Sequence, residues 1–240
     1  MSFQEAVILA NREIAALLQT ADDSFFTAGG TIGFGGDHSL KVDLVAEEIF
    51  IKHLLPFGRI NSEECGHLGD GEDEIVIDPI DGSSNLASGL PYFGTSVALK
   101  RHGNAIVSIV CNLASGDYFI RDIDGMFRRR LLDDRAVPLS KEICPLVGIF
   151  EKAYSHPHIA EMLRKHSIKF RSPGALAISL AYAHSVRFVM SAGGHREYDI
   201  IAGLHISSDL YRYIGERMII ISREKEIFDL LVKLFGKGAK

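Results

Sequence analysis

The spacing of apolar residues in the first half of the chain predicts two helices followed by a run of strands. Apolar positions recur at helical spacing over residues 4–19, which indicates a helix with one buried face. A second helix is predicted in "SLKVDLVAEEIFIKHLL", with Ser39 as its N-cap. Between them, "AGGTIGFGGDHS" contains five glycines and is expected to be a mobile loop or a hairpin tip. From residue 59 the apolar runs shorten, so "EIVID" and the runs from 95 to 130 are predicted strands of an antiparallel sheet.

The second half of the chain alternates between strand and helix patterns. Strands are predicted in "LVGIF", "IKFR", "VRFVM" and "MIIIS", and helices at 157–166, 174–184, 199–208 and 223–235. Such alternation is typical of an α/β unit. The chain is therefore predicted to form an α+β lobe with an antiparallel sheet over residues 1–140 and an α/β lobe over residues 141–240.

Composition narrows the class of protein without naming a function. The 240 residues are 47% hydrophobic and 24% charged, as in ordinary globular proteins, and the net charge of −5 gives no basic footprint for nucleic acid. Cys65, Cys111 and Cys144 form no CxxC pair, so neither a disulfide framework nor a zinc cluster is predicted. The amino-terminal apolar stretch contains acids and an arginine, which favours an amphipathic helix over a signal peptide or membrane span. A cytoplasmic protein without a membrane partner is expected.

The segment "IDPIDGSSN" at 77–85 places two aspartates, a proline, a glycine and two hydroxyl side chains close together. Because these residue types are common in turns, a surface turn is one interpretation. Other acids that need an explanation are Asp43, Glu63, Glu64 and Asp199. Clustered carboxylates repel one another unless a cation neutralises them, and Mg²⁺ prefers oxygen ligands. A magnesium site is therefore a second interpretation, although Asp43 and Asp199 would also suit the first turn of a helix.

The same segment also suits a phosphate group. Asp78 and Asp81 would reach adjacent metal ions, with the carbonyl oxygen of Ile80 between them. Gly82 would allow the backbone to approach a ligand closely, and a short helix starting at Ser83 would present free N–H groups to an anion. Metal ligands beside an anion site predict phosphoryl chemistry.

These motifs resemble the inositol monophosphatase family, which includes archaeal-type enzymes that act on inositol phosphates and on fructose 1,6-bisphosphate. The similarity lies in "SEECG" followed by "DPIDGSSN", in "YDIIAG", and in "SLKVDLVAEE" and "RSPGALA", all in matching order over nearly the whole chain. The resemblance implies a layered αβαβα sandwich of the sugar-phosphatase type. It also implies metal-dependent hydrolysis of a small phosphate monoester, and a homodimer.

The resemblance assigns roles to single residues. The implied metal ligands, for two or three Mg²⁺ ions, are Glu63, Asp78, Asp81, Asp199 and the carbonyl oxygen of Ile80. Asp43 would help to hold a third ion and the attacking water, which Ser83 would orient together with Glu63; most family members have threonine in place of Ser83. The implied substrate contacts are Gly82, Ser83, Ser84, Gly174, Ala175, Arg196 and Asp199. The segment 29–36 matches the mobile catalytic loop of the family.

Two positions bear on the choice of substrate. Ala192 stands where members specialised for inositol have a glutamate that binds ring hydroxyls. Arg196 would contact a second phosphate or sugar hydroxyls, or else it is a surface ion-pair partner. Activity on both inositol 1-phosphate and fructose 1,6-bisphosphate is therefore expected, with the bisphosphate favoured.

Two alternative functions stay open. A 3′-phosphoadenosine 5′-phosphate phosphatase would share the motifs, but this short chain has no obvious insertion that would stack on adenine. A catalytically weak relative could bind metal or phosphate in a regulatory role, although every ligand implied by the resemblance is present.

Overall fold

The first half of the chain forms two helices, a small hairpin and a large sheet. The computed structural model describes residues 1–36, 38–139 and 146–236. The elements up to residue 130 are α1 (Phe3–Thr20), β1 (Ala28–Ile32), β2 (His38–Leu40), α2 (Lys41–Leu54), β3 (Arg59–Ser62), β4 (Gly66–Leu68), β5 (Glu74–Asp81), α3 (Ser83–Ala87), β6 (Gly94–Arg101), β7 (Asn104–Asn112), β8 (Asp117–Asp122) and β9 (Gly125–Arg130). No helix in the described part of the chain is long and apolar enough to cross a membrane.

A seven-stranded sheet runs in the order β4-β3-β5-β6-β7-β8-β9. Neighbouring strands in this sheet are antiparallel, except that β3 and β5 are parallel, with Ser62 opposite Ile77. Helices α1 and α2 cover one face, where Ile14 and Phe50 join Ile77 in a fully buried core. The sheet therefore confirms the predicted antiparallel arrangement, with one parallel pair that will matter for the site.

The second half forms α4 (Pro157–Lys165), α5 (Leu176–Ala181), α6 (Glu197–Ile206) and α7 (Lys225–Phe235), with β10 (Gly148–Glu151), β11 (Phe170–Arg171), β12 (Val189–Ala192), β13 (Tyr211–Ile214) and β14 (Met218–Ser222). These strands form a five-stranded sheet in the order β11-β10-β12-β14-β13. Strands β10, β11 and β12 are parallel, whereas β14 is antiparallel to both of its neighbours.

The two sheets are separated by a central pair of helices. Ile178 of α5 and Ala202 of α6 pack against Val110 and Phe119 of the first sheet. On their other side, α5 and α6 pack against the second sheet, while α4 and α7 cover its outer face. The layers are thus helix, sheet, helix, sheet, helix, which confirms the predicted αβαβα sandwich.

The structure corrects one local prediction, decides between two stated alternatives in a second place, and adds a strand that the sequence did not predict. The N-cap of α2 is Leu40 and not Ser39, because the Asp43 carboxylate accepts the Leu40 amide (2.7 Å), while the Ser39 hydroxyl donates to Glu64. The glycine-rich segment forms the antiparallel β1–β2 hairpin. Strand β13 was not predicted, because "YRYI" is an edge strand without alternating burial.

The predicted lobe boundary after residue 140 and Cys144 lie outside the described residues. The division into lobes therefore stays a prediction. Cys65 and Cys111 are both free thiols.

Candidate active site

Three acids from distant parts of the sequence meet at one edge of the seven-stranded sheet. One carboxylate oxygen from each of Glu63, Asp78 and Asp199 lies within 4.8 Å of the other two. Glu63 follows β3 and Asp78 lies in β5, and because these strands are parallel neighbours their carboxyl ends meet. Asp199 joins them from the first turn of α6, which packs across the sheet.

The environment of Asp78 is suited to a cation. The residue is buried, and its Oδ1 has no hydrogen-bond partner among the described residues. Burial, reinforced by the charge of Glu63, raises the pKa of the Asp78 carboxyl well above its ordinary value. A hard divalent cation that takes oxygen ligands would satisfy the orphaned oxygen and offset the repulsion. The residues present therefore fit a metal such as Mg²⁺.

A bulge in β5 brings Asp81 to the same cavity. In a regular strand, residues three positions apart point to opposite faces. The register between β5 and β6 shifts between Asp78 and Asp81, and both aspartates, together with Ile80, line one cavity. Oδ2 of Asp81 accepts the amide of Ile178 in α5 (2.8 Å), which fixes the carboxylate between the two sheets.

The backbone after Asp81 turns sharply at Gly82, which has φ 86° in the left-handed region. A Cβ added there would lie 3.0 Å from the Ala175 Cβ and from the Tyr92 oxygen, so glycine is required. Helix α3 starts immediately afterwards, and Ser83 and Ser84 line the cavity. The first N–H groups of this helix have no intrahelical acceptor and lie beside the carboxylates.

Asp43 combines the two roles that the sequence left open. It is buried; one oxygen caps α2, while Oδ1 has no hydrogen-bond partner among the described residues. Burial raises the pKa of Asp43 to about 7, and the neighbouring Glu64 adds to that effect. Both residues line the cavity.

The glycine-rich hairpin packs against Glu63 and Glu64. The amides of Phe34 and Gly35 donate to the carbonyl oxygens of Glu64 and Glu63, at 2.9 and 2.8 Å. A Cβ on Gly35 would lie 2.8 Å from Cγ of Glu63, so this close approach requires a glycine. The glycines therefore allow the hairpin backbone to contact the site. The mobility of this segment stays a prediction.

The remaining wall of the cavity, which has a volume of about 600 Å³, comes from the second sheet. Sequence reasoning missed its members Glu151, Lys152, Tyr154, Ser172 and His195. Most of them follow β10, β11 or β12, and the carboxyl ends of parallel strands are where α/β sheets bind ligands. That rule could have identified these residues, but applying it requires the order of the strands in the sheet.

The residues predicted in "RSPGALA" divide between the cavity and the core. Gly174 lines the cavity, and its amide donates to Glu151 Oε2 (3.0 Å). Ala175 is buried against the central helices and is not among the described residues that line the cavity. Burial raises the pKa of Glu151, although hydrogen bonds from Ser179 and Gly174 oppose this effect.

Arg196 lies among the acids. Its Nη1 is 2.7 Å from Glu63 Oε1, and its Nε is 3.2 Å from Asp199 Oδ2. Nη1 also donates to the carbonyl oxygen of Gly35 in the hairpin (3.3 Å). These contacts match the ion-pair interpretation, and a contact with a second phosphate stays a prediction.

Comparisons with known proteins identify relatives of this chain and a solved structure with the same fold. Two curated relatives are a fructose-1,6-bisphosphatase from Pyrococcus furiosus, 28% identical over 61% of this chain, and a fructose-1,6-bisphosphatase/inositol-1-monophosphatase from Methanothermobacter thermautotrophicus, 31% identical over 72%. The alignments span 56% and 67% of those two proteins. The structure of the Thermotoga maritima IMPase shares the fold, with a TM-score of 0.78, 23% identity, and coverage of 99% of this chain and 98% of that one.

The family model described as "Inositol monophosphatase family" matches residues 14–208, which include all the acids discussed above. This chain therefore belongs to the inositol monophosphatase family.

Proposed function

We propose that the protein is a magnesium-dependent phosphatase that hydrolyses small sugar or cyclitol phosphate monoesters. The observation that supports it most strongly is the convergence of Glu63, Asp78 and Asp199 within 4.8 Å, beside a helix start that can hold phosphate. Family membership and the names of the relatives point to the same class of reaction.

The metal ligands in this proposal are Glu63, Asp78, Asp81, Asp199 and the carbonyl oxygen of Ile80. When bound, Mg²⁺ supplies positive charge that neutralises the phosphate and lowers the pKa of a water molecule. The buried and unpartnered Oδ1 of Asp78 supports this assignment.

The chain's own groups bind and orient the reactants. The backbone N–H groups of Gly82, Ser83 and Ser84 hold the phosphate at the start of α3. The Ser83 hydroxyl and the Glu63 carboxylate orient the attacking water, and Asp43 offers its unpartnered oxygen to the same region. A cysteine nucleophile is not needed: neither Cys65 nor Cys111 is among the described residues that line the cavity.

The substrates we propose are inositol 1-phosphate and fructose 1,6-bisphosphate, the two kinds of ester that the relatives' names indicate. With Ala192 buried and apolar, the ring-binding carboxylate of the inositol-specific members has no counterpart at that position. A cytoplasmic location and a homodimer belong to the same proposal.

Phosphate release from inositol 1-phosphate, fructose 1,6-bisphosphate and 3′-phosphoadenosine 5′-phosphate, with Mg²⁺ and with EDTA, tests the proposal. We expect Mg²⁺-dependent release from the first two esters. Hydrolysis of the adenosine compound alone would favour the nucleotidase alternative, and no hydrolysis of any ester would favour a regulatory relative.

A further inference from the structure

Among the described residues that line the cavity, a lysine and an arginine differ in what they contact. The guanidinium of Arg196 is held by carboxylates, through its contacts with Glu63 and Asp199. Lys152 is half-exposed and forms no ion pair within the part of the chain that the structure describes, although its charge opposes the burial that raises the pKa of the adjacent Glu151. Its positive charge is therefore available to an anion that enters the cavity.

The position of Lys152 follows from the parallel strands of the second sheet. In the β10–β12 pair Glu151 lies opposite Ser191, so the two strands end side by side. Lys152 comes directly after β10, and its Nζ donates to the carbonyl oxygen of Gly194, beyond the end of β12 (3.1 Å). An ammonium group has three N–H donors, so this single hydrogen bond leaves two for a ligand.

The backbone of Lys152 is unusual for a lysine. Its φ of 60° and ψ of 28° lie in the left-handed region, which is unfavourable for residues with a Cβ. The turn is closed by the amide of Ser155, which donates to the Lys152 carbonyl oxygen (3.0 Å). Strained residues of this kind cluster at binding sites, where the surrounding structure holds them.

The surroundings of Lys152 offer space for an anion. A Cβ added to Gly194 would meet no atom within 4 Å, so the neighbouring wall is open. Burial, and next the charge of Lys152, lower the pKa of His195, which disfavours a second positive charge at this place. Lys152 lines the same wall and carries a positive charge that can bind an anion.

We propose that Lys152 binds a second anionic group of the substrate, and that Arg196 instead balances the charge of Glu63 and Asp199. In the sugar bisphosphate that the proposed function already includes, one phosphate then lies beside Asp78 and the other at Lys152. The inference rests on the proposed function, because it requires the first phosphate to be hydrolysed at the acidic cluster.

The test compares fructose 1,6-bisphosphate with fructose 1-phosphate, two esters that differ only in the second phosphate. The ratio of their kcat/KM values is measured for the wild type, Lys152→Gln and Lys152→Arg, with Arg196→Gln for comparison. A charge-assisted contact corresponds to about a tenfold or larger effect. We therefore expect Lys152→Gln to lower the ratio about tenfold, mainly through KM for the bisphosphate, and Lys152→Arg to restore most of it.

Inositol 1-phosphate, assayed in parallel, distinguishes a failure of the proposed function from a failure of the role of Lys152. A wild type that hydrolyses none of the three esters would overturn the proposed function itself. A wild type that is active but shows no preference for the bisphosphate, or keeps its preference in Lys152→Gln, would overturn the role of Lys152 alone. A larger fall in the ratio with Arg196→Gln would also overturn it, and would return the second phosphate to Arg196.

Poor folding of Lys152→Gln would not block the test, because Lys152→Asn removes the same charge. Asparagine tolerates the left-handed backbone better than most residues. The same tenfold fall in the ratio is expected for that variant, and an unchanged ratio would contradict the inference in the same way.

Discussion

Asn85 joins the "IDPIDGSSN" segment to the second half of the chain, and its removal should loosen the whole site. The side chain is buried, and its Nδ2 donates to the Tyr92 oxygen (2.8 Å) and to the Pro173 oxygen (2.7 Å). Cβ atoms built on Gly82 and Gly174 would lie about 3.5 Å from the same amide, so Asn85 packs beneath both glycines. We predict that Asn85→Ala lowers both stability and activity.

The magnitude follows from the two hydrogen bonds. Each contributes about 1 kcal/mol net, and two carbonyl oxygens left without donors add to the cost, so the free energy of unfolding should fall by about 2–3 kcal/mol. For a chain of this length each kcal/mol shifts Tm by about 2–4 °C, which gives a fall of about 4–12 °C. Because the Gly82 and Gly174 backbones lose their shared support, kcat/KM should fall at least about tenfold.

Thermal unfolding and phosphate release check this prediction side by side. Asn104→Ala is the matched control, because Asn104 is exposed and its side chain donates to the His102 carbonyl oxygen at the surface (3.2 Å). We expect the control to stay within about 0.5 kcal/mol of the wild type. An Asn85→Ala variant that unfolds with the control and keeps wild-type kcat/KM would refute the reasoning.

Three further predictions concern single residues of the site. Ser83→Ala should lower kcat far more than KM in steady-state assays, with Ser83→Thr tolerated, and a defect confined to KM would make Ser83 a binding residue. The pKa of Asp43 is about 7 in the folded chain, whereas its ordinary value, which applies to the unfolded chain, is 3.8. The folded state therefore binds one more proton between these pH values, so the stability of the metal-free protein should fall as pH rises from 3.8 to about 7. Urea unfolding in EDTA, measured over this pH range, should show a shallower fall in the free energy of unfolding for Asp43→Asn than for the wild type. Glu48→Gln, which changes an exposed acid on the same helix, should show the same fall as the wild type. Equal slopes in Asp43→Asn and the wild type would contradict this prediction. Gly35→Ala should separate the hairpin from Glu63 and speed hydrogen exchange of the Phe34 and Gly35 amides, whereas unchanged exchange would show that the contact is not required.

Local patterns predicted most of the helices and strands, because each buries one face whose period is visible in the sequence. Helix α1 and strands β6 to β9 lie where the apolar spacing placed them. Strand direction was harder to predict. The strand–helix alternation after residue 145 resembles a parallel unit, yet β14 runs antiparallel to β12, since β13 returns the chain between α6 and β14.

The acids were predictable because their motifs are local, whereas the opposite wall was not. Glu63, Asp78 and Asp199 stand in recognisable segments that the fold brings together. Lys152 and His195 stand in ordinary sequence, and they reach the cavity only because β10 and β12 end side by side. Likewise, the ion pairs of Arg196 depend on the hairpin and on two distant acids, which no spacing along the chain encodes.

Calorimetric titration of Mg²⁺ into EDTA-stripped protein tests most directly whether the acidic cluster is a metal site. The comparison is between the wild type, Asp78→Asn, and Asp70→Asn, in which an exposed acid outside the cavity is neutralised. We predict that Asp78→Asn weakens Mg²⁺ binding at least about tenfold and abolishes phosphate release, because it removes a buried ligand with little change in volume. The control should bind as the wild type does. Wild-type Mg²⁺ affinity and turnover in Asp78→Asn would contradict the assignment of the metal site to Glu63, Asp78 and Asp199.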